Sequence, residues 1–209
     1  MPRRRRAGLT MLLEIDALRG KPGGPFSLRL GAGDCVVISG PSGIGKSLLL
    51  RMIADLDENQ GRVLLNGTSR DAMTAPQWRR QVMYVAAESG WWADHVHEHM
   101  QPIAEAKRLA PRLGLAEALL HAPVAQLSTG ERQRLGLIRA IIRAPLVLLL
   151  DEPSSALDEE STLRMEALLR ELTEAGMGLI LVTHNEAQAR RLATRRYQMC
   201  AGRLEEMSA

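Results

Sequence analysis

The chain has 209 residues, 45% of them apolar, which is enough to bury the core of one domain with room for a small lobe. Its 27 Lys and Arg against 24 Asp and Glu leave a formal charge of +3, too mild a surplus to argue for nucleic acid as a partner. The two cysteines imply no disulfide framework, and no apolar stretch approaches the roughly 18 residues of a membrane span.

Residues 1–10 carry four consecutive arginines, Arg3 to Arg6, with no signal-peptide apolar region behind them, and read as a disordered, solvated basic terminus. Met11 to Ile15 reads as a first strand. The turn-rich Gly20 to Pro25 leads to a second strand at Phe26 to Leu30 and a tight turn at Gly31 to Gly33. Cys35 to Ile38 is an apolar strand, and the helix that begins near Lys46 should end near Leu56 and Asp57. Gly61 to Gly67 reads as a strand closing in an Asn-Gly turn, followed by a short helix around Pro76 to Arg80 and the strand Val82 to Val85.

From about residue 89 to residue 127 apolar side chains recur at helical spacing, punctuated by Pro102, Pro111, Gly114 and Pro123, which predicts a small helical lobe. Alternation then resumes with a helix over Gly130 to Arg143, the strand Leu146 to Leu150, a helix from Glu159 to Ala175, the strand Leu179 to Thr183 and a helix over Glu186 to Leu192. Tyr197 to Cys200 and Arg203 to Glu205, joined by Ala201 and Gly202, close the chain. Fully apolar strands such as Leu146 to Leu150 imply a mainly parallel sheet covered by helices on both faces, an α/β architecture.

Between the third strand and its helix stand Gly40, Pro41, Ser42, Gly43, Ile44, Gly45, Lys46 and Ser47, the spacing of a phosphate-binding loop. Glycines let the backbone curl so that successive N–H groups face phosphate oxygens, and the helix behind adds its positive end. In this pattern Lys46 reaches the β- and γ-phosphates of a nucleotide and the Ser47 hydroxyl ligates Mg²⁺. Asp151 and Glu152 follow the strand Leu146 to Leu150, at the end of an open sheet where ligands bind. Neighbouring side chains at a strand end diverge, so Asp151 can turn towards the Mg²⁺ while Glu152 faces an attacking water as general base. Ser128, Thr129, Gly130 and Glu131 open the next helix as a capping box.

The order of phosphate loop, helical lobe, Leu127-Ser-Thr-Gly-Glu-Arg-Gln-Arg134, Leu148-Leu-Leu-Asp-Glu-Pro153, Ser155-Ala-Leu-Asp158 and Thr183-His184 resembles the ATP-binding-cassette (ABC) ATPases over nearly the whole chain. The resemblance implies a P-loop NTPase with an N-terminal antiparallel β portion, one ATPase domain over residues 11–209, and a lobe at about 89–127. It implies a head-to-tail homodimer on ATP binding, each ATP held between one copy's phosphate loop and the other's Ser128–Glu131 signature. Asp158 would lie at the dimer seam, and His184 would contact the γ-phosphate and hold the attacking water with Glu152. The implied protein is the ATPase subunit of a membrane transporter, most similar to compact bacterial export-type cassettes, held on the cytoplasmic face of the inner membrane by a membrane-spanning partner. A soluble cassette acting on nucleic acid or ribosomes, and a regulatory scaffold with weak turnover, are the alternatives.

The chain departs from the family in two places. Where the family carries a glutamine that touches Mg²⁺, Ala87 stands here with Glu88 beside it, and Glu88 reaches the metal only after a one-residue shift. Where the family often stacks an aromatic ring on adenine, the chain has Leu18, Arg19 and Gly20; Arg19 could stack instead, and Phe26 reads as core. Trp91 and Trp92 are expected as anchors for the membrane subunit, together with the lobe. His95 and His99 share a helical face, the spacing of a metal pair, although no metal sits there in the family.

Overall fold

A computed structural model describes residues 11–207; the expected basic terminus at 1–10 lies outside them. Among the described residues ten strands form two sheets. The first sheet is antiparallel, in the order β2 (Gly23–Gly31), β1 (Met11–Gly20), β4 (Asn59–Leu65), β5 (Thr68–Ser69). The second runs β10 (Arg203–Glu206), β9 (Arg195–Cys200), β3 (Cys35–Ser39), β8 (Gly178–Val182), β7 (Val147–Asp151), β6 (Val82–Val85), parallel except for the β9–β10 hairpin.

The expected all-apolar strands are buried on both faces because each residue parity feeds a different core. Val147, Leu149, Ile180 and Val182 pack with Leu49, Leu50 and Ile53 of α1 (Lys46–Ile53) and with the antiparallel sheet. Leu148, Leu150, Leu179 and Leu181 pack with α4 (Thr129–Ile141), α5 (Glu159–Glu174) and α6 (Glu186–Leu192). This is the two-layer covering that a parallel sheet requires.

Three elements differ from expectation. β1 runs five residues beyond Ile15 because it pairs with β2 on one side and β4 on the other, and a bulge between Asp16 and Arg19 lets it continue. At the bulge Ala17 takes φ 52°, so Ile15 and Leu18 both point into the core although they stand three apart. α1 stops at Ile53, not near Asp57, since Asp55 turns left-handed at φ 60° and Arg51 pairs with Asp57 across the end. Between 89 and 127 there is one α-helix, α3 (Ile103–Leu109), with 3₁₀ turns at Val96–His99, Pro111–Leu113, Glu117–His121 and Val124–Gln126. Pro102, Pro111 and Pro123 cut the periodic stretch into short pieces, of which only the one between Pro102 and Pro111 holds an α-helix. The remaining short helix, α2 (Ala75–Gln81), falls as predicted. Cys200 is exposed and Met199 takes the inward position, so of the two cysteines only Cys35 is a core thiol.

Candidate functional site

The site is built at the carboxyl ends of β3, β7 and β8. After β3 the loop turns on glycines: Gly40 has φ 145° and Gly45 φ 106°, where a side chain would be strained. Space forbids one as well, since a Cβ would lie 2.6 Å from the Met199 carbonyl oxygen at Gly40 and 2.4 Å from Pro22 Cβ at Gly45. Pro41, Ser42 and Gly43 are exposed and Ile44 is half-buried. Lys46 is buried, and its Nζ donates to the carbonyls of Gly40 (2.8 Å) and Pro41 (2.9 Å), arching over the loop it would share with a phosphate chain. Burial pulls its pKa down, and the charges of Glu152 and Asp151 push it back up. Lys46 in turn opposes the rise in the Glu152 pKa, so the two groups act on each other.

Asp151, the last residue of β7, is 5% exposed and accepts a hydrogen bond from Tyr84 Oη at 2.8 Å. Glu152 turns away from it with φ 46°, a left-handed conformation that a side-chain-bearing residue holds only when its surroundings dictate it. Its amide donates to the Val182 carbonyl (2.9 Å), and its Oε2 accepts from the His184 amide (3.3 Å). Oε1 lies 3.1 Å from His184 Nε2 but without hydrogen-bond alignment, so a solvent-shielded oxygen is left with no donor. Burial raises the Glu152 pKa; His184 and Lys46 oppose the rise and Asp151 adds to it. A carboxylate of raised basicity with an unpartnered oxygen is the arrangement that accepts a proton from water.

Ser128 to Glu131 and Asp158 form a second cluster at the starts of α4 and α5. Ser128 caps α4: its amide and Oγ each donate to Glu131 Oε2 at 2.8 Å, and Oγ accepts from the Glu131 amide at 3.3 Å. These donors hold the Glu131 pKa below the ordinary carboxylate range. Thr129 is exposed and Gly130 half-buried, with the Ala156 carbonyl close against it. Asp158 caps α5 by accepting from the Ser161 amide at 2.7 Å. Among the described residues no hydrogen bond joins this cluster to loop 40–47, so one chain by itself does not bring the two halves together.

Sequence reasoning missed Gln133. This buried side chain, on the second turn of α4, donates to the Glu152 carbonyl (2.8 Å) and Ser155 Oγ (3.1 Å) and accepts from the Ala156 amide (3.2 Å). It ties the start of α4 to the backbone of Glu152, and a polar residue on a predicted core face is the signal that could have found it. Gln188 is a second such tie, joining Ser154 (3.2 Å) to the buried Glu166 (3.4 Å), which Arg191 grips at 2.6 and 2.7 Å.

The departures also take definite places. Glu88 is exposed, and the Ala87 carbonyl lies 3.5 Å from Gln133 Nε2. Trp92 is 73% exposed, but Trp91 packs against the core with the Arg139 guanidinium over its ring at 4.7 Å and His99 at its edge. His99 is buried against both tryptophans, and the described residues hold no cluster of three or more His, Cys, Asp or Glu side chains arranged for a metal.

Against known proteins, the family described as ABC transporter matches residues 24–155. This chain belongs to the ABC transporter family, as an ATPase cassette. It is 38% identical over 182 residues to the taurine import ATP-binding protein TauB of Pseudomonas aeruginosa, covering 81% of this chain and 68% of the relative. The probable iron export ATP-binding protein FetA of Escherichia coli is 34% identical over 173 residues, 77% of this chain and 76% of that one. Across the curated relatives the cassette spans 52% to 76% of their length. An ATP-binding cassette solved as a dimer in a post-hydrolysis state with ADP and Pi shares the fold, with a TM-score of 0.84 at 23% identity over 94% of this chain and 98% of that one. Among the described residues no helix of the cassette is long and apolar enough to cross a membrane.

Proposed function

We propose that this cassette hydrolyses ATP in a head-to-tail homodimer and thereby drives a separate membrane-spanning transporter subunit, which holds it on the cytoplasmic face of the membrane. The observation that carries the reading is the contact of Glu152 with His184 at the strand ends beside Lys46. Gly40 to Gly45 cradle the phosphate chain with backbone N–H groups, and Lys46 exchanges its two carbonyl partners for phosphate oxygens. Ser47 and Asp151, a hydroxyl and a carboxylate, are the hard oxygen donors that suit Mg²⁺, and the ion when bound offsets the phosphate charge. Glu152 takes the proton as the water oxygen bonds to the γ-phosphorus and the bond to the ADP oxygen breaks; His184 keeps the water aligned.

The second copy supplies Ser128, Thr129, Gly130 and Glu131 as a γ-phosphate clamp at a helix N-terminus, with Asp158 at the seam. Trp92 and the lobe at 89–127 face the membrane subunit; Trp91 supports Trp92 from the core. The relatives include both an import and an export protein.

Glu152→Gln tests the reading. It should keep ATP binding, slow hydrolysis by on the order of 10²–10⁴, and accumulate an ATP-bound dimer of doubled mass in light scattering. Turnover within about threefold of the parent, well short of a general-base effect, would assign the base elsewhere, and a monomer at saturating ATP would rule out the sandwich.

A further inference from the structure

One side chain outside the motifs reaches the site from a neighbouring strand. Tyr84 of β6 stands opposite Leu149 of β7 in the parallel register, and Asp151 lies two residues beyond Leu149. All three side chains therefore share the face that packs against α1, with Asp151 displaced by about 7 Å along the strand at the usual rise per residue. A phenol is long enough to cross that gap, and Tyr84 Oη donates to Asp151 Oδ2 at 2.8 Å. Among the described residues no other hydrogen bond reaches the Asp151 carboxylate.

We propose that Tyr84 is a positioning residue of the metal site, its hydroxyl holding one oxygen of Asp151 so that the other stays turned out for Mg²⁺. A carboxylate at a strand end with no second donor is free to rotate, and a fixed partner removes that freedom before the ion arrives. Phenylalanine keeps the ring and its packing but loses the donor. The proposal rests on the reading of Asp151 as the Mg²⁺ carboxylate, and the test separates the two.

ATP affinity is measured by calorimetry on the intact protein in excess EDTA and across a Mg²⁺ titration, for the parent, Tyr84→Phe and Asp151→Asn. Tyr84→Phe should leave the EDTA affinity unchanged and raise the Mg²⁺ concentration for half-maximal enhancement about tenfold, the low end for losing a partner of a metal-ligating carboxylate. A Tyr84→Phe curve superimposed on the parent, with Asp151→Asn shifted, overturns the role of Tyr84 and leaves Asp151 as the metal carboxylate. No shift in either variant overturns both. Equal loss of affinity with and without Mg²⁺ makes Tyr84 a packing residue and overturns the proposal.

Discussion

Gln133→Ala should cost the protein both stability and turnover, and the two losses have separate causes. Truncation removes the three shorter hydrogen bonds, to the Glu152 carbonyl, Ser155 Oγ and the Ala156 amide, and a weak fourth at 3.5 Å to the Ala87 carbonyl. Ser155 and Ala156 are exposed, so water replaces the amide at those ends, while the half-buried Glu152 carbonyl has no equal substitute. At about 1 kcal/mol net for each of the three shorter bonds, with an extra penalty only at Glu152, the expected loss is roughly 4–5 kcal/mol. The kinetic loss comes from the backbone of Glu152, held at φ 46°. Such a conformation stores about 1–3 kcal/mol and relaxes when its restraints are removed. If the carboxylate must return to that geometry to act, turnover falls by about tenfold for each 1.4 kcal/mol, so roughly 10- to 100-fold. Gln133→Glu should be worse than alanine, because it faces the Glu152 carbonyl with a second acceptor. Denaturant unfolding and steady-state ATPase measurements on the three proteins decide the matter. A stability loss of the expected size with turnover within about threefold of the parent would leave Gln133 a packing residue and refute the argument that the strain at Glu152 serves catalysis.

Lys46→Ala should weaken ATP binding by at least about 100-fold, since a tetra-anionic phosphate chain then meets the loop without its cation; an unchanged Kd by calorimetry would contradict the assigned loop. Ser128→Ala removes the hydroxyl half of the α4 cap but keeps the backbone bond to Glu131, so the monomer should lose about 1 kcal/mol of stability with its ATP affinity intact, while ATP-driven dimerisation in light scattering fails. Glu152→Gln should also show a pH signature. Because burial raises the folded pKa of Glu152, the charged form burdens the folded state, and that burden grows as pH climbs from the unfolded carboxylate range through the raised value. The Gln variant is therefore expected to be the more stable at neutral pH, with the difference vanishing in acid, and a gap independent of pH in urea unfolding would show that ionisation is not its source.

Much of the fold was legible because its signals are local. Runs such as Val147–Leu150 are apolar on both faces only if both faces are covered, and the two cores divide between them residue by residue. The Asn66-Gly67 turn and the capping box at Ser128 sit where their side-chain chemistry places them. The extension of β1 was hidden, because a bulge is a property of paired strands and the run Asp16 to Arg19 looks like a strand end when read alone. The stretch from 89 to 127 kept its helical period in apolar positions, but proline broke it into one α-helix and several 3₁₀ turns, so periodicity located the burial better than the backbone.

The candidate site divides along the same line. The residues assigned to the ligand lie in contiguous motifs, because a phosphate chain is small and one loop can surround it. The groups that hold those residues or their neighbours come from far away in the chain: Tyr84 reaches Asp151 across 67 positions, Gln188 reaches Ser154 across 34, and Gln133 reaches Glu152 across 19. No local period encodes such pairs. They follow from strand order, since setting β6 beside β7 in parallel register puts Tyr84 two residues behind Asp151 on one face, a distance that a phenol spans and a shorter side chain does not. A motif therefore states which chemistry is present, and the sheet topology states which side chains restrain it.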